Sequence, residues 1–213
     1  MRALLLAAAC VLAACTGEAP SAPDGQSSAD IPDLVGAPAE EAILSCADFA
    51  ALTPTTLAQR FGAENISRET RNGAEGDVYE ATIVFADDPA KRMEIVWDLD
   101  GQRLATVIVR DQNTRWRGRE GHTIGSTLAD VERINGRAFQ LYGFGWDFGG
   151  WASDWNGGAL QYEPTCRASM RFTPRGEQNP KAAGDREFPS DDAAIRAADP
   201  VVSEFGLTFP NVH

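Results

Sequence analysis

A glycine-rich segment with three tryptophans is the densest cluster of chemistry-bearing residues in this chain. Residues 143–158 hold three of the five Trp, six Gly, and the carboxylates Asp147 and Asp154. Exposed indole rings on a sheet offer large, rigid contact areas for a sugar ring or for a loop of a partner protein. Because strand side chains alternate, Trp151 and Trp155 share one face, and their small, polar neighbours predict that this pair is exposed.

The same aromatic residues also fit a buried core. Phe144, Trp146 and Phe148 share the other face by the same alternation, and one set of rings must pack inside. A core and a ligand platform therefore both remain open for the set as a whole. The exposed-platform hypothesis requires Trp151 and Trp155 to be accessible while Trp97 and Trp146 are buried.

Asp147 and Asp154 are candidate catalytic groups. Two carboxylates serve as acid and as nucleophile or base in glycoside hydrolysis. Turns beside Gly also favour Asp for conformational reasons, and spacing in sequence does not bring these two together. The chain has no Gly-x-Ser-x-Gly elbow and no phosphate-cradling loop. The sequence thus favours a non-catalytic binding or structural module, with a hydrolase of envelope glycan or peptide as the alternative.

Arginines form one basic cluster in an acidic chain whose net charge is −12. Arg110, Arg115, Arg117 and Arg119 surround Trp116. Arginine forks bind carboxylates and phosphates, which makes Arg115, Trp116 and Arg117 candidate binding residues. The alternative is a charged strand edge that resists pairing. The overall charge repels phosphate backbones, so we expect no nucleic-acid partner.

The first 15 residues read as a signal for export. Leu4 to Ala14 is an apolar run too short to span a membrane, and Leu12-Ala13-Ala14-Cys15 resembles the lipobox of bacterial lipoproteins. That resemblance implies a signal peptide over 1–14 and lipidation of Cys15, hence a membrane anchor in the bacterial cell envelope. The residue after Cys15 is not Asp, which by the same resemblance favours the outer membrane, facing the periplasm. An ordinary secretory signal is the alternative.

Residues 15–42 carry the lipidated Cys and an acidic, proline-containing stretch with no Lys or Arg, which predicts a disordered tether.

Cys46 and Cys166 are the thiols left for the folded part, and an oxidising compartment favours a disulfide between them. The alternative, a catalytic or metal-binding Cys, requires His partners. The chain has only two His, so we expect no metal site and no cofactor.

Two similar runs of elements position these residues. Residues 52–62 predict a short helix that begins at a capping Thr and ends at Gly, and residues 125–136 predict a second one, for which Ser126 is the candidate cap. Alternation of apolar and polar residues predicts strands after each helix. We expect an α+β fold of two tandem helix-plus-antiparallel-sheet (αβββ-like) units, over 43–120 and 121–213. A polar turn follows the first helix, and the predicted strands are 78–86, 93–97 and 104–110, then 139–146, 150–155, 159–162 and 167–172. A polar loop (174–189), a helix (191–198) and a strand (201–209) follow.

The helix-then-strands repeat resembles the small lobes of BamE/SmpA and β-lactamase-inhibitor-like α+β lipoproteins. The stretches Gly121–Phe139 and Gly143–Gly150, with the pattern G-x-S-L…N-G-x-x-F…G-F-x-W-D-x-G, resemble a family of uncharacterised bacterial secreted proteins over most of residues 50–172. These resemblances imply a fold and an envelope location, and no reaction. The partners to expect are the membrane, through the lipid anchor, and an envelope protein or glycan.

Overall fold

Eleven strands in the described part of the chain build one large and two small sheets. The computed structural model describes residues 41–161, 165–176 and 179–210, which lie within one compact unit. The strands are β1 (Ala42–Leu44), β2 (Ile66–Asn72), β3 (Val78–Val84), β4 (Met93–Trp97), β5 (Leu104–Val109), β6 (Trp116–Gly118), β7 (Gln140–Tyr142), β8 (Ala152–Asp154), β9 (Arg167–Pro174), β10 (Glu187–Pro189) and β11 (Pro200–Thr208).

The large sheet is antiparallel and runs in the order β2-β3-β4-β5-β11-β9. Its first four strands come from the first predicted unit and its last two from the second. They join where Phe205 of β11 lies opposite Val109 of β5. The small sheets are β10-β7-β8 and the parallel pair β1-β6. The α+β class is confirmed, and strands from both halves of the chain share the main sheet.

Four short helices flank the sheets, and their ends follow the capping rules. Thr53 and Thr56 form a reciprocal capping box, with Pro54 in the first turn. Thr127 caps the third helix through the backbone N–H of Asp130, and Gly136 ends it in a left-handed conformation. The helices are α1 (Cys46–Phe49), α2 (Pro54–Phe61), α3 (Leu128–Asn135) and α4 (Ala193–Ala197).

The hydrophobic core lies on one face of the large sheet. Val107 and Val109 on β5 and Phe205 and Leu207 on β11 point to this face, where the helices cover them. Alternation then sends the intervening side chains to the opposite, open face. The open face is where the sheet carries its charged residues.

Three predictions about local structure are wrong, for separate reasons. Residues 159–161 form a 3-10 turn, not a strand, with Leu160 buried. The predicted polar loop 174–189 contains β10, which buries Phe188. Residues 66–72, read as a polar turn, form the edge strand β2; one side of an edge strand faces solvent, so it need not be apolar.

The sulfur atoms of Cys46 and Cys166 lie at disulfide distance, and their Cα atoms are 5.9 Å apart, within the range that a disulfide requires. This places α1 beside the start of β9. None of the helices in the described part of the chain is both long and apolar enough to cross a membrane.

Candidate binding groove

A row of charged side chains crosses the open face of the large sheet. Glu94 on β4, Glu204 on β11 and Arg171 on β9 all alternate with core residues of their own strands. Arg110, directly after β5, lies between the two glutamates. Arg71 on β2 completes the row from the far edge.

The charges in this row alternate in sign, so that each carboxylate lies between two guanidinium groups. Glu94 accepts from Arg110 Nη1, and its Oε2 lies 3.4 Å from Arg71 Nε. Glu204 Oε2 lies 2.7 Å from Arg110 Nε, and its Oε1 lies 3.2 Å from Arg171 Nη1. The row joins side chains from four strands, β2, β4, β9 and β11, and from the residue directly after β5.

Burial sets the electrostatics of the row. The Glu94 side chain is only 5% exposed, and the hydroxyl of Tyr79 donates to its Oε1 at 2.8 Å. Burial raises the pKa of the Tyr79 hydroxyl, and the hydrogen bond to Glu94 raises it further. Burial alone would lower the pKa of Arg110, but the charges of Glu204 and Glu94 raise it above its ordinary value. Arg110 therefore stays charged, with Tyr79 nearby as a neutral donor to Glu94.

Guanidinium groups and carboxylates are balanced in number around this row. Four arginines and three carboxylates line the cavity above it (Arg71, Arg92, Arg110, Arg171; Glu94, Asp111, Glu204). Glu69 pairs with Arg71 and Arg92 at the rim. The Nε of Arg71 is buried and makes no hydrogen bond within the described residues. Unlike the strongly acidic chain as a whole, this face is close to neutral and offers guanidinium donors.

An aromatic loop follows β7 and lies over the β9 end of the face. We define it as residues 143–151. Gly150 has φ +79°, and a side chain there would collide with the carbonyl of Phe172 on β9. Glycine thus allows the loop backbone to lie directly on the sheet, where the N–H of Phe172 donates to Gly150 at 2.8 Å.

Arg171 joins the charged row to the aromatic loop. Its Nε donates to the carbonyl of Gly149 at 2.9 Å, and its Nη2 donates to the carbonyl of Asp147 at 3.3 Å. Its guanidinium also lies over the ring of Trp151, 5.9 Å from the centroid. The loop positions Trp146 and Phe148 edge to face, with ring centroids 5.4 Å apart.

The far end of the loop reaches the turn between β2 and β3. Asp147 Oδ2 accepts a hydrogen bond from the backbone N–H of Glu75 at 2.7 Å. Glu75 has φ +54°, a left-handed conformation that is uncommon for a residue with a side chain. The loop therefore spans from the β9 edge to the β2–β3 turn and encloses the open face between them.

Two adjoining cavities result, with volumes of about 470 and 560 Å³, and they share Tyr79, Arg110, Arg171 and Glu204. Together we call them the groove. One end is charged, and the other lies beneath Trp146, Phe148 and Trp151. Hydroxyls from the sheet lie on its floor at Thr106, Ser169 and Thr208. Small-molecule sites typically measure ~300–1,000 Å³ and combine apolar walls with a few placed polar groups, as here.

The predicted exposure is wrong for Trp155, and Trp151 borders the groove as a half-buried ring. Trp155 is 2% exposed, its indole donates to the carbonyl of Ala168, and it packs on Phe139. The pairing of β8 with β7 shifts register between Ala152 and Asp154, so alternation does not carry from Trp151 to Trp155. Trp97 and Trp146, expected to be buried, are both half-buried.

The predicted basic cluster does not form one site. Trp116 is 1% exposed and packs edge-on against Phe49, so it offers no stacking surface. Arg117 pairs with Glu41, and Arg115 is half-buried with its carbonyl bonded to the N–H of Ala42. These contacts with residues 41 and 42 arise because β6 pairs with β1. Only Arg110 of the original run lines the groove.

The predicted carboxylate pair is also separated. Asp147 lines the groove, whereas Asp154 accepts from the backbone N–H of Asn156 in the turn after β8 and lines neither cavity. Within the described residues, no group of three or more His, Cys, Asp or Glu side chains could hold a metal ion.

Sequence reasoning missed Tyr79, Glu94, Arg171 and Glu204 as site residues. For Glu94, Arg171 and Glu204 a weak signal was present, because each is a charged residue at a position where its strand alternates with core residues, as in Met-Glu-Ile on β4. Tyr79 lies between two exposed residues of β3 and gave no such signal. Finding the site required the strand order, because β4 and β9 are far apart in sequence. The cavity residues could not have been collected from any one segment.

No family model, curated protein or solved structure matches this chain. The groove therefore has to be interpreted from its own geometry.

Proposed function

We propose that this protein is a non-catalytic binding module of the bacterial cell envelope and that the groove is its ligand site. The observation that carries this is the enclosure of an arginine-rich sheet face by the aromatic loop. Four guanidinium groups and the three aromatic rings of the loop border the groove. Convergence of charged donors and rings in a single concavity is the usual form of a small-ligand site.

The hydrolase alternative receives less support. Glycoside hydrolysis needs two carboxylates facing one bond, and only Asp147 of the proposed pair borders the groove. Glu94 and Glu204 also border it, but each already lies between two guanidinium groups, so neither carboxylate is free to act on a substrate.

The envelope location rests on the sequence. Cys15 and the predicted tether lie outside the described residues, so lipidation and an outer-membrane position facing the periplasm stay proposals. A Cys46–Cys166 disulfide in the mature protein suits such a compartment.

An internal duplication also stays a proposal. Its support is the recurrence of a Thr-capped helix (α2, α3) before antiparallel strands.

A thermal-shift screen of the full chain tests the binding function. The panel holds small carboxylates, neutral saccharides, acidic saccharides and short acidic peptides. A ligand that binds only the native state raises the melting temperature. We expect a rise with at least one class, reduced in both Arg71→Gln and Phe148→Ala, two groove variants with partly exposed side chains.

Arg133→Gln and Leu99→Ala are matched controls, since both residues are exposed and lie outside the groove. They should respond to ligand as the unmodified chain does. A panel without effect, or a rise that persists in both groove variants, contradicts the proposal.

A further inference from the structure

We propose that the ligand of the groove is an acidic saccharide, a sugar whose ring carries a carboxylate. This rests on the proposed binding function and specifies its ligand class. The groove supplies three independent features: guanidinium donors at its charged end, partly exposed aromatic faces and a floor of hydroxyls.

The charged end offers guanidinium donors to an anion. Glu94 and Glu204 already lie between guanidinium groups, so neither is free to hold a cationic ligand. Among the described residues, the ion pairs of Arg71 use its Nε and Nη2 and those of Arg110 use its Nε and Nη1, which leaves Arg71 Nη1 and Arg110 Nη2 for a ligand. A planar guanidinium donates two parallel hydrogen bonds to a carboxylate, which fixes the orientation of the ligand.

The other end favours a saccharide over a purely apolar ligand. Trp146 and Trp151 are half-buried and Phe148 is 41% exposed, so the loop presents aromatic surface to the cavity. Opposite them, the floor carries the hydroxyls of Thr106, Ser169 and Thr208 and the amide of Asn72 at the rim. An apolar ligand would leave these polar groups unpaired, which is costly, whereas a sugar ring offers a flat C–H face to the rings and hydroxyls to the floor.

An acidic peptide is the competing class. Its backbone needs unpaired N–H and C=O groups arranged along a strand edge, as in strand addition. The groove lies on the face of the sheet, where these backbone groups already pair between neighbouring strands such as β5 and β11. Side-chain hydroxyls, not backbone groups, are what this floor offers.

Isothermal titration calorimetry on the full chain separates the classes. The probes are α-1,4-digalacturonic acid, the neutral disaccharide α-1,4-galactobiose of the same linkage, acetate, and triglutamate. One charge-assisted bidentate contact should make the acidic disaccharide bind about tenfold tighter than the neutral one. Acetate and triglutamate should each bind more weakly than the acidic disaccharide.

Two variants test the roles of the charged end and the aromatic end of the groove. Arg71→Gln should remove most of the preference for the acidic over the neutral disaccharide, while Phe148→Ala should weaken both by a similar factor. Arg133→Gln and Leu99→Ala should change neither. Equal affinity for the two disaccharides, tighter binding of triglutamate, or a preference that survives Arg71→Gln overturns the saccharide assignment but leaves a binding groove in place. Absence of groove binding by every probe and by the wider screen overturns the proposed function as well.

Discussion

Asp147 in the aromatic loop accepts a hydrogen bond from the backbone N–H of Glu75, 72 positions earlier in the chain. This contact joins the loop, which rests on β9 at one edge of the large sheet, to the turn beyond β2 and β3 at the other edge. The groove owes its enclosure to this connection, because without it the loop would be held only from the β9 side, through Arg171.

Asp147→Ala should therefore loosen the loop without unfolding the protein. The variant loses one hydrogen bond at an exposed site, worth about 1 kcal/mol of stability. Hydrogen exchange at the Glu75 amide and over residues 145–149 should become faster, and ligand affinity should fall. Asp154→Ala removes a comparable bond, to Asn156 in a turn outside the groove, and serves as control. Equal protection of the loop in both variants would show that the Asp147 contact does not hold it.

Truncation to Ala should affect stability differently at Trp151 and Trp155, which the sequence predicted to lie on the same face. Trp155→Ala removes a buried ring and should lower the free energy of unfolding by roughly 3–5 kcal/mol. Trp151→Ala should cost less stability, because the ring is half-buried, but it should weaken ligand binding. Urea denaturation measures the first effect and calorimetry the second. Similar stability losses for both variants would contradict the assignment of Trp151 to the groove.

His122 should make stability depend on pH. Its ring is 1% exposed and packs edge-on against Phe205, and burial lowers the pKa of His122 to about 4 from 6.5. Between these two values the unfolded chain binds a proton that the folded one does not. The His122 contribution is therefore complete above pH 6.5 and is lost as pH falls toward 4, by about 3 kcal/mol in total.

Denaturant unfolding at several pH values measures this loss. His122→Gln should flatten the dependence between pH 6.5 and 4, although the variant itself will be less stable, while His213→Gln should retain it. The pKa of Asp98 is lowered to about 2, so Asp98 makes stability depend on pH only below the range in which His122 does. An unchanged slope in His122→Gln would show that other groups cause it.

Cys46 and Cys166 should form a disulfide in the mature protein. The bond would link residues 120 positions apart, and the chain-entropy model gives a loop of this length roughly 4–5 kcal/mol of stabilisation. Mass spectrometry after alkylation without reductant should find both thiols blocked, and reduction should lower the melting temperature. Two freely alkylated thiols would contradict the pairing.

Cys15 should carry the lipid anchor. Cys15→Ser should convert a protein that partitions into detergent into a soluble or unprocessed one, since the lipid supplies the membrane affinity. Phase partitioning with Triton X-114 measures this. Cys10→Ser is the matched control and should leave partitioning unchanged. Detergent partitioning of mature Cys15→Ser protein would contradict the assignment.

Local signals predicted the elements of the fold better than they predicted its site. Capping residues identified α2 and α3, and alternation identified β3, β4, β5 and β11, because those patterns lie within single segments. Strand order is a different matter: nothing local shows that β11 inserts between β5 and β9. The pairing of Glu204 with both Arg110 and Arg171 depends on that order. The predicted exposure of Trp155 was wrong for a related reason, since a register shift in the pairing of β8 with β7 breaks the alternation between Trp151 and Trp155.

The five indole N–H signals in a nitrogen-15 spectrum test the central claim most directly. The full chain is titrated with digalacturonic acid, or with the ligand that the thermal screen selects. Trp146 and Trp151 border the groove, whereas Trp155 and Trp116 are buried elsewhere and Trp97 donates to Thr82 on the core side of the sheet. We predict saturable shifts of the Trp146 and Trp151 signals with the other three unmoved. Saturable binding that shifts Trp97, Trp116 or Trp155 while leaving Trp146 and Trp151 in place would contradict the groove as the ligand site.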